Sequence, residues 1–232
     1  MKTIGLIGGM SWESTVGYYR QLNEGVKREL GGLHSAKIAM YSVDFAPIEK
    51  LQNSGDWITM AIMLVDAAKK IEAAGADFLL IGTNTMHKVA DDVAAAIDIP
   101  LLHIADATAE VLLEDGIETV GLLGTAFTME QDFYKVRLAE KYDLTVMVPG
   151  KDERAIVHRM IYEELCLGTI NEQSKKLLLD IISRLGEAGA QAVILGCTEL
   201  GLLAHQTDTA VKLYDTTAIH AQKAVELAIA GS

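Results

Sequence analysis

The chain has 232 residues, half of them hydrophobic and 22% charged, enough to bury a sizeable core and too apolar for a disordered chain. Its 20 basic and 32 acidic side chains leave a formal charge of −12, which argues against nucleic-acid and anionic-membrane partners. Two cysteines cannot frame a disulfide scaffold and fit a reducing cytoplasm, and no apolar stretch reads as a signal segment or approaches bilayer length.

In chain order, residues 3–7 form an apolar run that ends in Gly8-Gly9. Ser11 has the character of a helix N-cap, and a helix is expected over 12–30. A second strand follows at 38–43, then a helix at 57–74 stopped by Gly75. Residues 78–81 read as a buried strand, followed by Gly82 and a helix running to 97, and a fourth strand is expected at 100–104. Strands apolar on both faces alternating with helices predict a parallel α/β sheet.

The same programme then restarts. Val120-Gly121-Leu122-Leu123-Gly124 repeats Ile4-Gly5-Leu6-Ile7-Gly8 at an offset of 116 (4 to 120). Ala188-Gly189-Ala190 with its apolar run and Gly196 repeats Ala74-Gly75-Ala76 with its run and Gly82 at an offset of 114 (74 to 188). Two independent pairs at nearly one offset indicate a duplicated α/β unit. The second half carries an additional helical stretch at 152–167.

Ligands of open parallel sheets bind at the carboxyl ends of the strands. There each half carries a polar string, Thr83-Asn84-Thr85 in the first and Cys197-Thr198-Glu199 in the second, with Thr83 and Cys197 at equivalent positions. If the halves face each other about a pseudo-twofold axis, these side chains meet across an interdomain cleft. The small-residue loops Gly8-Gly9-Met10-Ser11 and Gly124-Thr125-Ala126-Phe127-Thr128 each lead into a helix and offer backbone N–H groups to a carboxylate or phosphate.

Cys197 sits between a buried strand and a short helix, where N–H groups and the helix dipole are expected to lower a thiol pKa. That placement favours a catalytic thiolate over a packing residue. Cys166, inside a helical stretch, reads as packing; His87, one helical turn after Thr83, could line the cleft, but a helix-surface or capping residue is the favoured reading. Dinucleotide, Walker, zinc-protease and serine-elbow patterns are absent, and six scattered histidines make no metal site.

Gly8-Gly9-Met10-Ser11-Trp12-Glu13-Ser14, Thr83-Asn84-Thr85-Met86-His87, Gly124-Thr125 with Thr128-Met129, and Gly196-Cys197-Thr198-Glu199 together resemble the aspartate/glutamate racemase family, in its order and over nearly the whole chain. Asp215-Thr216-Thr217 with His220 also looks like it. The resemblance implies an α/β fold of two pseudo-twofold-related parallel-sheet α/β/α domains with the active site in the interdomain cleft. The domains would be 1–103 with a C-terminal helix at 217–232, and 104–216. It also implies an isomerase that racemises amino acids without pyridoxal phosphate, metal or other cofactor, and a cytoplasmic homodimer whose partner is a small amino acid substrate.

The family holds the substrate α-carbon between two cysteines. Here the first is Thr83, which looks like the branch of L-aspartate/glutamate-specific or broad-specificity racemases. Cys197 would then be the base on the L face and Thr83 the opposing proton donor. A hydroxyl donates a proton but is a poor base. The two enantiomers have equal free energy, so kcat/KM must match in both directions, and α-hydrogen exchange by Cys197 is expected to outrun inversion. Met10, Asn84, Thr85, Thr125 and Thr198 would hold the α-carboxylate and the carbanion, Glu199 the ammonium, and Gln52 the far end of the substrate. Gln52 and Cys166 stand where aspartate racemases carry an arginine and a lysine, with Lys50 as a partial substitute, so neutral amino acids such as homoserine enter the substrate range. The alternatives are a single-cysteine decarboxylase of the arylmalonate type, and a non-catalytic amino acid-binding protein.

Overall fold

The structure, a computed structural model, describes residues 1–230. The chain divides into two compact units, Met1–Ile104 with the chain from His220 onward, and Ala105–Ile219.

The first unit is built on β1 (Ile4–Gly8), α1 (Trp12–Leu30), β2 (Ile38–Ser42), α2 (Phe45–Ser54), α3 (Trp57–Ala73), β3 (Phe78–Ile81), a 3-10 turn (Thr85–Val89) and α4 (Ala90–Ala94). Its three strands are parallel in the order β2-β1-β3. β1 and β3 are buried on both faces because their alternate side chains serve two cores. Ile4, Leu6, Phe78 and Leu80 pack with Tyr18, Leu22 and Val26 of α1, while Ile7, Leu79 and Ile81 pack with Met60, Leu64 and Ile71 of α3. Full burial of each such side chain contributes about 1.5–3 kcal/mol. Ser11 takes the N-cap position of α1 without a side-chain hydrogen bond to the first turn, and Gly31 ends the helix at φ 74°. Gly9, at φ 92°, is required twice over, since a Cβ there would run into the Val43 backbone.

The second unit repeats the plan. α5 (Ile104–Glu114) leads to β4 (Thr119–Gly124), α6 (Ala126–Glu130), α7 (Asp132–Tyr142), β5 (Thr145–Met147), α8 (Lys151–Arg159), α9 (Glu172–Glu187), β6 (Ala192–Gly196), α10 (Leu200–Leu203) and β7 (Lys212–Asp215). The order is β5-β4-β6-β7, all parallel. β4 takes the central place of β1, and β6 that of β3, as the sequence repeat requires. The additional stretch at 152–167 is α8 running on through a π-helical turn (Met160–Glu164) and a 3-10 turn (Leu165–Leu167). The C-terminal helix expected at 217–232 is α11 (Thr216–Ile229), and residues 231 and 232 lie outside the described residues.

Two expectations are corrected, and one helix was not foreseen. The strand at 100–104 is a single bridge between Leu79 and Leu101. Pro100 has no N–H to donate and α5 already begins at Ile104, which leaves one residue to pair. The helix expected up to residue 97 is only the 3-10 turn and α4. The segment between β2 and α3 is a helix, α2, capped by the Asp44 carboxylate on the Ala46 N–H and closed by Gly55 in the left-handed region.

His220 of α11 is fully buried. Its Nε2 lies 2.8 Å from the Leu102 carbonyl, which can only accept, so Nδ1 accepts from the Tyr18 hydroxyl at 2.9 Å. Burial pushes its pKa down from 6.5 to about 4. The unfolded chain therefore takes up this proton first as the pH falls. Stability is unaffected above about pH 7 and declines toward pH 4, with about 2 kcal/mol lost by pH 5. Unfolding free energies from urea titrations at pH 7.5 and 5 should differ by that much more in the wild type than in His220→Gln; equal differences would contradict this.

Candidate active site

In the first unit, β1 and β3 end side by side, with Ile7 paired to Ile81. The β1–α1 loop carries Met10, whose side chain is buried among Ile7, Ile48 and Met86. Beyond β3, the Gly82 N–H continues the ladder to the Ile7 carbonyl at 2.9 Å, and the chain turns so that the Thr83 N–H meets the Ile81 carbonyl at 2.9 Å. Thr83, Asn84 and Thr85 are all buried here. Gln52 reaches this end from α2, its amide donating to Met86 Sδ at 3.3 Å. Lys50 is exposed and lies two residues from the buried Gln52, so it occupies the other side of the helix and does not replace a cation at Gln52.

His87 is 4% exposed, not on the helix surface as its position suggested. The His103 ring lies 4.4 Å from it. Its Nε2 accepts the Ile104 N–H at 3.2 Å, so Nδ1 carries the proton and donates to the Thr83 carbonyl at 2.8 Å.

In the second unit, Gly124 and Gly196 are paired at the ends of β4 and β6. A Cβ on Gly196 would lie 2.8 Å from the Leu123 carbonyl oxygen, so only glycine allows the strands this close. Thr125 and Cys197 follow directly and are neighbours. Thr125 N-caps α6, its Oγ1 accepting from the Thr128 N–H at 3.3 Å. The Ala126 N–H is taken by His158 Nδ1 at 3.1 Å. In the other small-residue loop the Gly9 N–H donates to Thr15 Oγ1 at 2.8 Å. Several donors expected to serve a ligand thus hold the loops in shape instead. His158, which the sequence left unremarked, stays neutral because burial lowers its pKa.

Cys197, Thr198 and Glu199 form a closed polar group. The Cys197 thiol donates to Glu199 Oε2 at 3.0 Å, and the Thr198 hydroxyl donates to the same oxygen at 2.7 Å. All three are buried, Glu199 to 2% exposure. Glu199 stands at the N-cap of α10, yet its side chain does not cap the helix. The expectation of a lowered thiol pKa is reversed. Burial pushes the Cys197 pKa well up, and the Glu199 charge and the nearby Cys166 add to it. The Glu199 hydrogen bond favours the protonated thiol, which outweighs the Glu199 backbone N–H. α10 has four residues, too few for a dipole that could compete. Cys166 packs half-buried against the core cluster that contains Cys197, as its helical position suggested.

A thiol bonded to a buried carboxylate can exchange a proton with it, and the equivalent repeat position in the first unit carries buried hydroxyl and amide groups. Among the described residues, no group of three or more His, Cys, Asp and Glu side chains is placed to hold a metal ion. Nor, among the described residues, is any helix long and apolar enough to cross a membrane.

Two parallel-sheet α/β units of this kind match the folds of solved racemase-family structures. The chain belongs to the Asp/Glu/hydantoin racemase family, whose model matches residues 7–224, and it is accordingly an isomerase of the amino acid racemase class. It is 55% identical to a candidate Asp/Glu racemase of known crystal structure from Yersinia pestis, covering 99% of this chain and 100% of that one with a TM-score of 0.91. It is 39% identical to an aspartate racemase homologue from Pyrococcus horikoshii OT3, covering 98% and 99% of the two chains with a TM-score of 0.83. It is 20% identical to the broad specificity amino-acid racemase RacX of Bacillus subtilis (strain 168) over 98% of each chain. An unliganded arylmalonate decarboxylase, 17% identical with a TM-score of 0.52 over 100% of this chain and 95% of that one, shares the fold alone.

Proposed function

We propose that the chain racemises L-aspartate, L-glutamate or a broader set of amino acids without a cofactor, with Cys197 as the base on the L face and Thr83 as the opposing proton donor. The observation that carries this reading is the Cys197 thiol bonded to Glu199 at the end of β6. In the resting protein the thiol keeps its proton. An α-ammonium group beside Glu199 cancels the like-charge penalty, and the proton leaves along the Sγ–Oε2 hydrogen bond. The thiolate then takes the α-hydrogen. The Cα–H pair stays on the substrate as a carbanion delocalised into its carboxylate, stabilised by donors from Met10, Asn84, Thr85, Thr125 and Thr198. Thr83 delivers its hydroxyl proton to the other face and regains one from solvent, while Glu199 gives up to solvent the proton it took from the thiol, which resets the site.

Gln52 would meet the substrate side chain. It is a buried, uncharged amide, and Cys166 brings no charge, which supports neutral side chains beside acidic ones in the substrate range. The first unit, 1–103 with 217–232, and the second, 104–216, would close on the substrate from two sides, in a homodimer in the cytoplasm.

The test is to separate the two proton transfers. Thr83→Ala should retain exchange of the L-substrate α-hydrogen within about threefold of the wild type while inversion falls about 10²-fold or more, the range of one acid–base group. Thr83→Cys, which restores an ionisable group, should raise inversion. Equal loss of exchange and inversion in Thr83→Ala would contradict the division of labour.

A further inference from the structure

We infer that His87 is a positioning residue for Thr83, acting on inversion through the Thr83 carbonyl; this rests on the racemase reading above. His87 lies four residues after Thr83, in the 3-10 turn that follows β3. The turn directs the His87 backbone N–H to the Asn84 carbonyl at 3.1 Å rather than to Thr83. The Thr83 carbonyl, two residues before the turn, receives the His87 side chain instead, at 2.8 Å.

The other ring nitrogen closes a brace. Nε2 accepts from Ile104 N–H, at the residue where the chain leaves the first unit. A neutral imidazole with its proton on Nδ1 meets both demands, and no other uncharged side chain of that reach supplies a rigid donor and acceptor on opposite sides. The Thr83 N–H is held by Ile81, so both backbone polar groups of Thr83 are fixed. One imidazole therefore braces the backbone that carries the hydroxyl that gives the proton. The His103 ring at 4.4 Å and the His220 ring at 6.1 Å pack around His87 and limit its rotation.

A displacement of about 1 Å at a reacting group costs on the order of 10²-fold in rate. Only steps that use Thr83 should feel it, because Cys197 is held separately on β6. The test measures α-hydrogen exchange and inversion of L-aspartate and L-glutamate in D2O with His87→Ala, His87→Asn and His87→Gln, each checked for folding by circular dichroism. In His87→Ala, inversion should fall about 10- to 100-fold while exchange at the L face changes by less than about threefold. His87→Asn places an amide donor near the Nδ1 position and should recover part of the inversion rate. His87→Gln puts its amide near Nε2 and should not. Loss of exchange and inversion by the same factor, or equal recovery by both amides, would overturn the inference. Absence of Cys197-dependent exchange in the wild type would remove the racemase reading, and this inference with it.

Discussion

Cys197→Ala should abolish α-hydrogen exchange and inversion together, lowering turnover by at least about 10³-fold. The expectation follows from the inventory at the end of β6. Thr198 and Cys197 both donate to Glu199, and a hydroxyl cannot take an α-proton near neutral pH. Cys197→Ser keeps a donor to Glu199 but offers the same poor base, so it should be nearly as inactive while folding normally. Cys197 is a buried member of the second unit's core, and its truncation to alanine should cost only about 1 kcal/mol. Steady-state kinetics beside urea denaturation separates the two effects. A serine variant with more than a tenth of wild-type turnover would contradict a thiol base.

Glu199→Gln should move two readouts in opposite directions. The carboxylate raises the thiol pKa by its charge and by accepting the thiol proton, so the amide should increase alkylation of Cys197 by iodoacetamide, about 3- to 10-fold at pH 8. The same change removes the acceptor for the departing proton and the partner of the ammonium, so turnover should fall about 10²-fold or more. A purely structural role for Glu199 would give slower turnover with no gain in thiol reactivity. The raised pKa also changes the meaning of a slow alkylation. A resting thiol bonded to a buried carboxylate reacts slowly in an enzyme too, so low reactivity in the wild type does not favour a non-catalytic binding protein.

Much of the framework was legible because local signals agreed with tertiary placement. The run Ile4–Gly8 and the run Phe78–Ile81 are continuous, bounded by glycine, and became the paired strands β1 and β3. α1 follows Ser11 with buried residues Ser14, Tyr18 and Leu22 at helical spacing. The repeat of 114 to 116 residues anticipated that β4 and β6 would pair as β1 and β3 do. α2 was not predicted from the sequence. Its signal was present in Asp44 and Gly55, ten helical residues apart, with proline tolerated in the first turn.

The placement of the two polar strings was legible in the sequence, and their electrostatics less so. The strings Thr83-Asn84-Thr85 and Cys197-Thr198-Glu199 are buried at strand ends, and the second is tied together by hydrogen bonds. The sign of the Cys197 pKa shift was not readable, because desolvation depends on core residues brought from α8 and α9, distant in sequence. The role of His87 was hidden for a related reason. Its spacing from Thr83 is visible, but only the fold brings Ile104 to its second nitrogen.

The central claim is that Cys197 exchanges the α-hydrogen of an L amino acid faster than the protein inverts it. Proton NMR in D2O with L-aspartate, L-glutamate and L-homoserine follows loss of the α-proton signal while chiral chromatography follows inversion, beside Cys197→Ala. The account predicts exchange that outruns inversion in the wild type and vanishes in the variant. Exchange that persists in Cys197→Ala, or no exchange with any of a broad set of L and D amino acids, would contradict it.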